Sequence, residues 1–208
     1  MSRRRLPKIA ALLALGLSAF LATISVVDAQ SARVRVRGTI VSLDGSVLNV
    51  KTREGTMAAV TLNSGLMVST VVNASLDDIK PGDYVGVASV PKADGGDGAL
   101  EVLVFPAAMK GTGEGSFAYD LKPNSTMTNA TVSNAVKAVE GRELTLTYNG
   151  QEKKMAVPAG TPVVTIASAT SADLVAGAPV IINSDKAADG SLSTARVIVD
   201  TKGVVPPM

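Results

Sequence analysis

A short stretch near the middle of the chain brings together carboxylates, aromatic rings and glycines. Glu114 and Asp120 could supply acidic oxygens, and Phe117 and Tyr119 could stack on a ligand or fill a partner's pocket. Glycines occupy every second position from 111 to 115, which allows the backbone to approach a ligand closely. These residue types predict binding, of a partner or of a hard cation through oxygen ligands. The competing interpretation is a strap that packs its aromatic rings between two domains.

Other charged groups in the sequence have structural interpretations. The acidic, glycine-rich residues 94–98 lack the ligand spacing and the final glutamate of a calcium-binding EF-hand, which indicates a hairpin tip. Asp77 and Asp78 follow a capping serine and precede Pro-Gly, which indicates a capped helical turn rather than a hydrolytic pair. Three arginines alternate over residues 33–37 and could bind an anion, although charge on a solvated edge strand is the usual reason for such a pattern.

The absence of histidine and cysteine from the chain excludes several kinds of site. Without histidine there is no ordinary serine triad and no common transition-metal ligand. The seven methionines are scattered, so they form no copper-binding cluster. We therefore predict no catalytic residues, no metal site of the usual type, no cofactor and no enzymatic activity.

The first 29 residues have the pattern of a secretory signal peptide. A basic start containing three arginines precedes an apolar run from Ile9 to Val27, and small residues lead to predicted cleavage after Ala29. A membrane anchor is the alternative, since the run is long enough to span a bilayer. Either the general secretory route or the twin-arginine route could export the chain. A bacterial periplasmic or secreted location follows, without stable membrane insertion after cleavage.

Removal of the signal changes the charge of the protein. Residues 1–29 carry four of the 20 basic residues and one of the 18 acidic residues, which leaves 16 against 17 and a formal net charge of −1. Binding of nucleic acid usually needs a basic surface with aromatic stacking platforms. A nearly neutral chain without tryptophan does not fit that requirement. The expected partner is a protein, an envelope polymer or a small ligand.

The chain contains an internal repeat with an offset of 95 residues. Residues of 65–104 recur in 160–199, for example Asp78 as Asp173 and Gly82 as Gly177. A repeat at fixed spacing predicts two copies of one structural unit. Alternation of apolar and polar residues indicates short strands, and Asp-Gly and Asn-Gly pairs between them indicate tight turns.

The predicted fold is all-β, with two tandem five-stranded OB-like barrels that each contain one short helical turn before the fourth strand. A two-layer sandwich is the alternative for each copy. The predicted organisation is a signal peptide (1–29), barrel 1 (30–106), a glycine- and aromatic-containing linker (107–129), barrel 2 (130–201) and a tail (202–208).

Five motifs of the chain are specific enough to compare with known sequences. They are Gly-Thr-Ile at 38–40, Ser-Leu-Asp-Asp-Ile-Lys-Pro-Gly at 75–82, Glu-Val-Leu-Val-Phe-Pro at 101–106, Gly-Thr-Gly-Glu-Gly at 111–115 and Pro-Asn-Ser-Thr-Met-Thr-Asn-Ala at 123–130. Together they resemble a family of exported bacterial proteins known only as a domain of unknown function. The resemblance implies OB-like barrels and an exported location but no established activity.

This chain departs from the family in the linker, which bears on function. Similar proteins sometimes carry the name of a metal transport permease, which conflicts with a chain that has no apolar span beyond the signal. They usually have a histidine and then Trp-Asp after Gly-Thr-Gly-Glu-Gly, whereas this chain has Ser-Phe-Ala-Tyr-Asp at 116–120. The sequence therefore predicts a non-enzymatic binding or scaffold protein that uses the inter-repeat segment. The alternative is a metal-handling accessory protein that binds a hard cation through Glu114 and Asp120.

Overall fold

The computed structural model describes residues 32–137, 141–201 and 203–204. The predicted signal peptide, its cleavage site and most of the predicted tail lie outside the described residues. In the described part of the chain, twelve strands contain most residues, and helical structure is limited to three 3-10 turns. The predicted all-β class is confirmed.

The strands differ widely in length, and the longest are the first, third and seventh. They are β1 (Ala32–Asp44), β2 (Val47–Thr52), β3 (Met57–Asn73), β4 (Tyr84–Pro91), β5 (Asp97–Val104), β6 (Gly115–Tyr119), β7 (Ser125–Lys137), β8 (Arg142–Tyr148), β9 (Gln151–Val157), β10 (Val163–Ser168), β11 (Pro179–Lys186) and β12 (Leu192–Val199). The 3-10 turns are Leu76–Asp78, Ala107–Met109 and Ser171–Asp173.

Strand β1 follows the alternation seen in the sequence. Successive side chains of a strand point to opposite faces, so Val34 and Val36 contact the apolar core while Arg35 and Arg37 contact polar groups outside it. Gly45 closes the turn to β2 with φ of 60°, a conformation that favours glycine.

Five strands form a closed barrel, hereafter the first barrel. In it β1 pairs with β2, β2 with β3, β3 with β12, β12 with β11, and β11 again with β1. The β3–β12 contact is parallel and the other four are antiparallel. Its interior is a cluster of buried aliphatic side chains: Val36, Ile40, Leu48, Val50, Val60, Leu174, Val180, Ile182, Val197 and Val199.

Five other strands form a second group with the same order of contacts. Strand β7 pairs with β8, β8 with β9, and β4 pairs with both β5 and β7. A short parallel contact joins β5 to β9 through Asp97 opposite Met155 and Gly98 opposite Ala156. This group surrounds its own buried cluster, which includes Leu144, Leu146 and Val157. Strand β6 pairs with β7 outside the group.

Strands from the two halves of the chain exchange between these groups. Strands β4 and β5, inside the predicted unit 30–106, pair with β7 and β9, while β11 and β12 pair with β1 and β3. Each group therefore combines strands that pair within one of the ranges 30–106 and 130–201 with strands contributed by the other range. The long β3 explains this, because it leaves β2 and continues into pairing with β10, carrying the chain that follows into the other group.

Short helical turns precede β4 and β11, as predicted for the fourth strand of each copy. In the first, the Ser75 hydroxyl accepts a hydrogen bond from the amide of Asp77 at 3.1 Å. In the second, the Asp173 carboxylate accepts hydrogen bonds from the amide and the hydroxyl of Thr170. Among the described residues, none of the helical elements has the length and apolarity to cross a membrane.

Candidate functional site

The outer face of β1 carries three arginines, and the strand lies in the middle of a sheet. Strand β1 pairs with β11 on one side and β2 on the other, so the interpretation of a solvated edge strand is wrong. Arg33 is exposed and lies 4.0 Å from Asp185, whereas Arg37 is only 8% exposed. Arg53 follows β2, and its amide donates to the carbonyl of Arg37 at 2.9 Å.

Asp120 binds three of these guanidinium groups at once. Its Oδ1 accepts from Nη1 of Arg35 at 2.6 Å and from Nη2 of Arg37 at 2.7 Å. Nη2 of Arg53 donates to the Asp120 carbonyl oxygen at 2.8 Å and lies 3.6 Å from its Oδ2. We call Arg35, Arg37, Arg53, Tyr119 and Asp120 the arginine cluster. It joins the connecting segment, residues 107–129, to the outside of the first barrel.

Local structure around β6 places Asp120 and Tyr119. Tyr119 ends β6 opposite Ser125 of β7. The chain then turns through Asn124, which has φ of 60°, and the Ser125 hydroxyl lies 2.9 Å from the Tyr119 carbonyl oxygen. The guanidinium of Arg35 lies 4.3 Å from the centroid of the Tyr119 ring, within the range of a cation–π contact. This closed turn presents Asp120 toward β1.

The charges of the cluster shift the ionisation of its members. Partial burial would raise the pKa of Asp120, but hydrogen bonds from Arg37 and Arg35 outweigh it and hold that pKa well below its ordinary range. Burial likewise opposes the charged form of Arg37, yet its hydrogen bond to Asp120 and the nearby Tyr119 raise its pKa. Asp120 is therefore ionised at neutral pH and is a poor proton acceptor.

Glu101 is a buried carboxyl group near the cluster that the sequence reasoning missed. It lies on β5 with 1% of its surface exposed, and neither carboxylate oxygen has a hydrogen-bond partner within the described residues. Burial raises its pKa to about 8, although the charge of Arg37 acts in the opposite direction. Its signal in the sequence is an acidic residue inside the otherwise apolar run 99–104.

The four predicted site residues do not form one site. Tyr119 and Asp120 belong to the arginine cluster. Glu114 instead accepts a hydrogen bond from the amide of Asn149 at 2.9 Å, at the turn between β8 and β9. Phe117 is 42% exposed on β6, opposite Met127. In the part of the chain that the structure describes, no group of three or more acidic side chains is arranged to hold a metal ion.

Two clefts border the arginine cluster. The smaller, of about 240 Å³, lies between β1 and the turn after β2, and its lining includes Arg35, Asp120 and Glu54. The larger, of about 560 Å³, runs across β1, β2 and β11, and we call it the β1–β11 cleft. Arg37 and Arg53 line both clefts. The arrangement can hold a negatively charged group beside an apolar wall.

The residues of the cluster are far apart in the sequence, which is why spacing did not reveal them together. Asp120 is 85 positions from Arg35 and 83 from Arg37. Comparison with known proteins gives no relative from which a function could be transferred: no family model matches the chain, and neither a curated protein nor a solved structure matches it.

Proposed function

We propose that this chain is a non-enzymatic binding or scaffold protein that works in the bacterial periplasm or outside the cell. Its interaction surface is the connecting segment together with the two clefts that border the arginine cluster. One observation carries the proposal: Asp120 is anchored by three arginines at hydrogen-bonding or ion-pair distance, and two of these arginines, Arg37 and Arg53, line two clefts. The exported location follows the prediction from the amino-terminal residues.

The same proposal includes two OB-like barrels related by the internal repeat, as in the bacterial family that the sequence resembles. Strand pairings that are equivalent under the 95-residue repeat support this arrangement. Val102 of β5 lies opposite Val163 of β10, and Val197 of β12, which is 95 residues after Val102, lies opposite Val68 of β3, which is 95 residues before Val163. A two-fold pseudo-symmetry of this kind would leave the connecting segment as the part without a counterpart, and therefore free to carry a function of its own.

The hydrogen bonds and ion pairs of Asp120 and Glu114 favour a binding function over catalysis or the binding of a cation. Asp120 is paired with guanidinium groups and its pKa is depressed, so it would be a weak general base. A cation placed on it would meet three arginines. Glu114 is occupied by the Asn149 amide. These contacts therefore disfavour the alternative of a hard cation held jointly by Asp120 and Glu114.

Phe117 provides the test of this proposal, because it is the exposed aromatic group of the connecting segment. Mature protein is screened by thermal shift against envelope polymers, sugars and small organic ligands, since a ligand that binds only the native state raises the melting temperature. We expect ligands found with the wild type to lose at least half of their shift in Phe117→Ser. Val175→Ser, which changes an apolar residue that is 55% exposed on a different turn, is the matched control.

The proposal fails if every ligand found with the wild type gives the same shift in Phe117→Ser and in the Asp120→Ala variant of the cluster. Shifts lost equally in Val175→Ser would also contradict it, because the loss would then reflect stability rather than the segment.

A further inference from the structure

We propose that the β1–β11 cleft binds organic anions, with a carboxylate or phosphate group held by Lys51 and Arg53 and an apolar part placed against β11. This inference rests on the proposed function and specifies its ligand class. The cleft is lined by Arg37, Gly38, Thr39, Lys51, Thr52, Arg53, Leu121, Pro179, Val180 and Ile181. Three of these residues are cationic and none is acidic.

The strand register gathers these cations on one surface. Thr39 lies opposite Lys51, and Gly38 lies opposite Thr52, so that Arg37 and Arg53 are neighbours at the end of the β1–β2 ladder. Residues two positions apart on a strand share a face. Arg37 and Thr39 of β1 and Lys51 of β2 therefore share one face, and Arg53, directly after β2, joins them because it contacts Asp120 as Arg37 does.

Like charges directly opposite each other on adjacent strands are destabilising unless a counter-charge lies between them. Asp120 supplies that counter-charge at one end of this face, where it contacts Arg37 and Arg53. At the other end, Lys51 lies opposite the uncharged Thr39 and is exposed, and its side chain makes no hydrogen bond or ion pair within the described residues. An external anion bound at this end would neutralise the charge of Lys51, as Asp120 neutralises the charge of Arg37.

Donors remain available for such an anion. Arg53 uses Nε for Glu54 and Nη2 for Asp120, which leaves Nη1 without a partner in the described part of the chain. Guanidinium and ammonium groups form the stronger, charge-assisted hydrogen bonds with carboxylate and phosphate oxygens. The exposed hydroxyl of Thr39, opposite Lys51, adds a neutral donor.

The far wall of the cleft is apolar and defines the rest of the ligand. Leu121 of the connecting segment and the start of β11, Pro179–Ile181, line it. Ile181 and Leu121 belong to one apolar cluster, which makes this wall part of a packed core rather than a mobile loop. Leu121 and Pro179 are the half-buried part of this wall, so an inorganic anion would leave them uncovered, whereas a small aromatic or aliphatic anion would cover them and gain from the burial.

The test uses calorimetry of the mature protein at low ionic strength with inorganic phosphate and phenyl phosphate as probes. We expect saturable binding of phenyl phosphate that is tighter than binding of phosphate. Lys51→Gln removes one charged donor and is expected to weaken it about tenfold, the loss typical of a charge-assisted hydrogen bond. Lys80→Gln, a change of an exposed lysine outside the cleft lining, is expected to have no effect.

Flat traces with both anions would overturn the inference, and so would equal affinities of wild type and Lys51→Gln. In either case, a screen ligand that depends on Phe117 would leave the proposed function standing. Conversely, anion binding that depends on Lys51 would support the β1–β11 cleft as an anion site. If every ligand from the screen then bound Phe117→Ser as well as wild type, the connecting segment would be contradicted as the interaction surface.

Discussion

Asp120→Asn is expected to lower the free energy of unfolding by about 2 to 3 kcal/mol at neutral pH, since hydrogen bonds to charged groups contribute roughly 1.5 to 3 kcal/mol each and solvent screens part of this cluster. The change keeps the size of the side chain but removes the charge that Arg35 and Arg37 share. The buried guanidinium of Arg37 then lacks its counter-ion, and the connecting segment loses its anchor on β1.

The effect of this variant should depend on pH in a defined direction. The folded-state pKa of Asp120 is depressed, so its contribution is fully present above the unfolded pKa of about 4 and is lost as the pH falls below it. The difference between wild type and Asp120→Asn is therefore constant from pH 5 upward, as far as this group is concerned, and shrinks toward pH 2. Urea denaturation at several pH values measures it.

Asp94→Asn is the control for this experiment. Asp94 forms an exposed ion pair with Lys92 at a hairpin tip, and solvent screening leaves such pairs with little net contribution to stability. If Asp120→Asn were no more destabilising than Asp94→Asn, the arginine cluster would contribute no more to stability than an exposed ion pair, and it would not anchor the connecting segment.

Glu101→Gln is expected to stabilise the protein, and the gain should grow with pH. The pKa of Glu101 is raised from 4.5 to about 8, so the folded state keeps a proton that the unfolded chain has already lost. Wild-type stability therefore falls as the pH rises from about 4.5 to about 8, at up to about 1.4 kcal/mol per pH unit from this group. Glutamine occupies the same space without this penalty.

We expect Glu101→Gln to exceed the wild type by about 2 to 4 kcal/mol near pH 8.5 and by little near pH 4.5, because the penalty is about 1.4 kcal/mol per unit of pKa shift. Taking the difference between the two proteins cancels the titration of the other carboxylates. Glu152→Gln, which changes an exposed glutamate on β9, should leave the dependence of the free energy of unfolding on pH unchanged. A difference between Glu101→Gln and wild type that does not vary with pH would show that Glu101 has an ordinary pKa in the folded protein.

Local features of the fold could be predicted from the sequence because they depend on neighbouring residues. The alternation of Val34 and Val36 with arginines gave the face of β1 that enters the core. Asn-Gly between β8 and β9 predicted a tight turn, and both Asn149 and Gly150 adopt the positive φ that such turns require.

The exchange of strands could not be predicted in the same way. The repeat indicates that β4 resembles β11, for instance through Val85 and Val180. It does not indicate whether each of these strands pairs with β1 or with β7. The choice depends on the path of β3, whose second half pairs with β10 instead of turning back. Such pairing is a long-range property that no local pattern encodes.

The candidate site was predictable only in part for a similar reason. Composition indicates a role for Tyr119 and Asp120, but the alternating Arg35 and Arg37 also fit a solvated edge strand, since no local pattern shows that β11 pairs with β1. Glu114 and Phe117 are close to them in the sequence and differ in surroundings, since β6 directs them to other parts of the molecule. Proximity in the chain was therefore a poor guide to membership of the site.

The exchange of strands places β11 beside β1, where β11 supplies the wall of the β1–β11 cleft. Cysteine cross-linking tests it most directly, since the chain contains no cysteine of its own. Arg33 lies opposite Asp185 in the β1–β11 ladder. If each half closed on itself, Arg33 would instead lie opposite Val90, the residue 95 positions before Asp185. Opposed strand residues fall within the distance range of a disulfide.

The measurement compares two double variants of the mature protein after mild oxidation, with intramolecular disulfides detected by mass spectrometry of non-reduced peptides. The exchanged arrangement predicts that Arg33→Cys with Asp185→Cys forms the bond and that Arg33→Cys with Val90→Cys retains free thiols. A bond between positions 33 and 90, with free thiols at 33 and 185, would contradict the exchange and remove the wall on which the β1–β11 cleft depends.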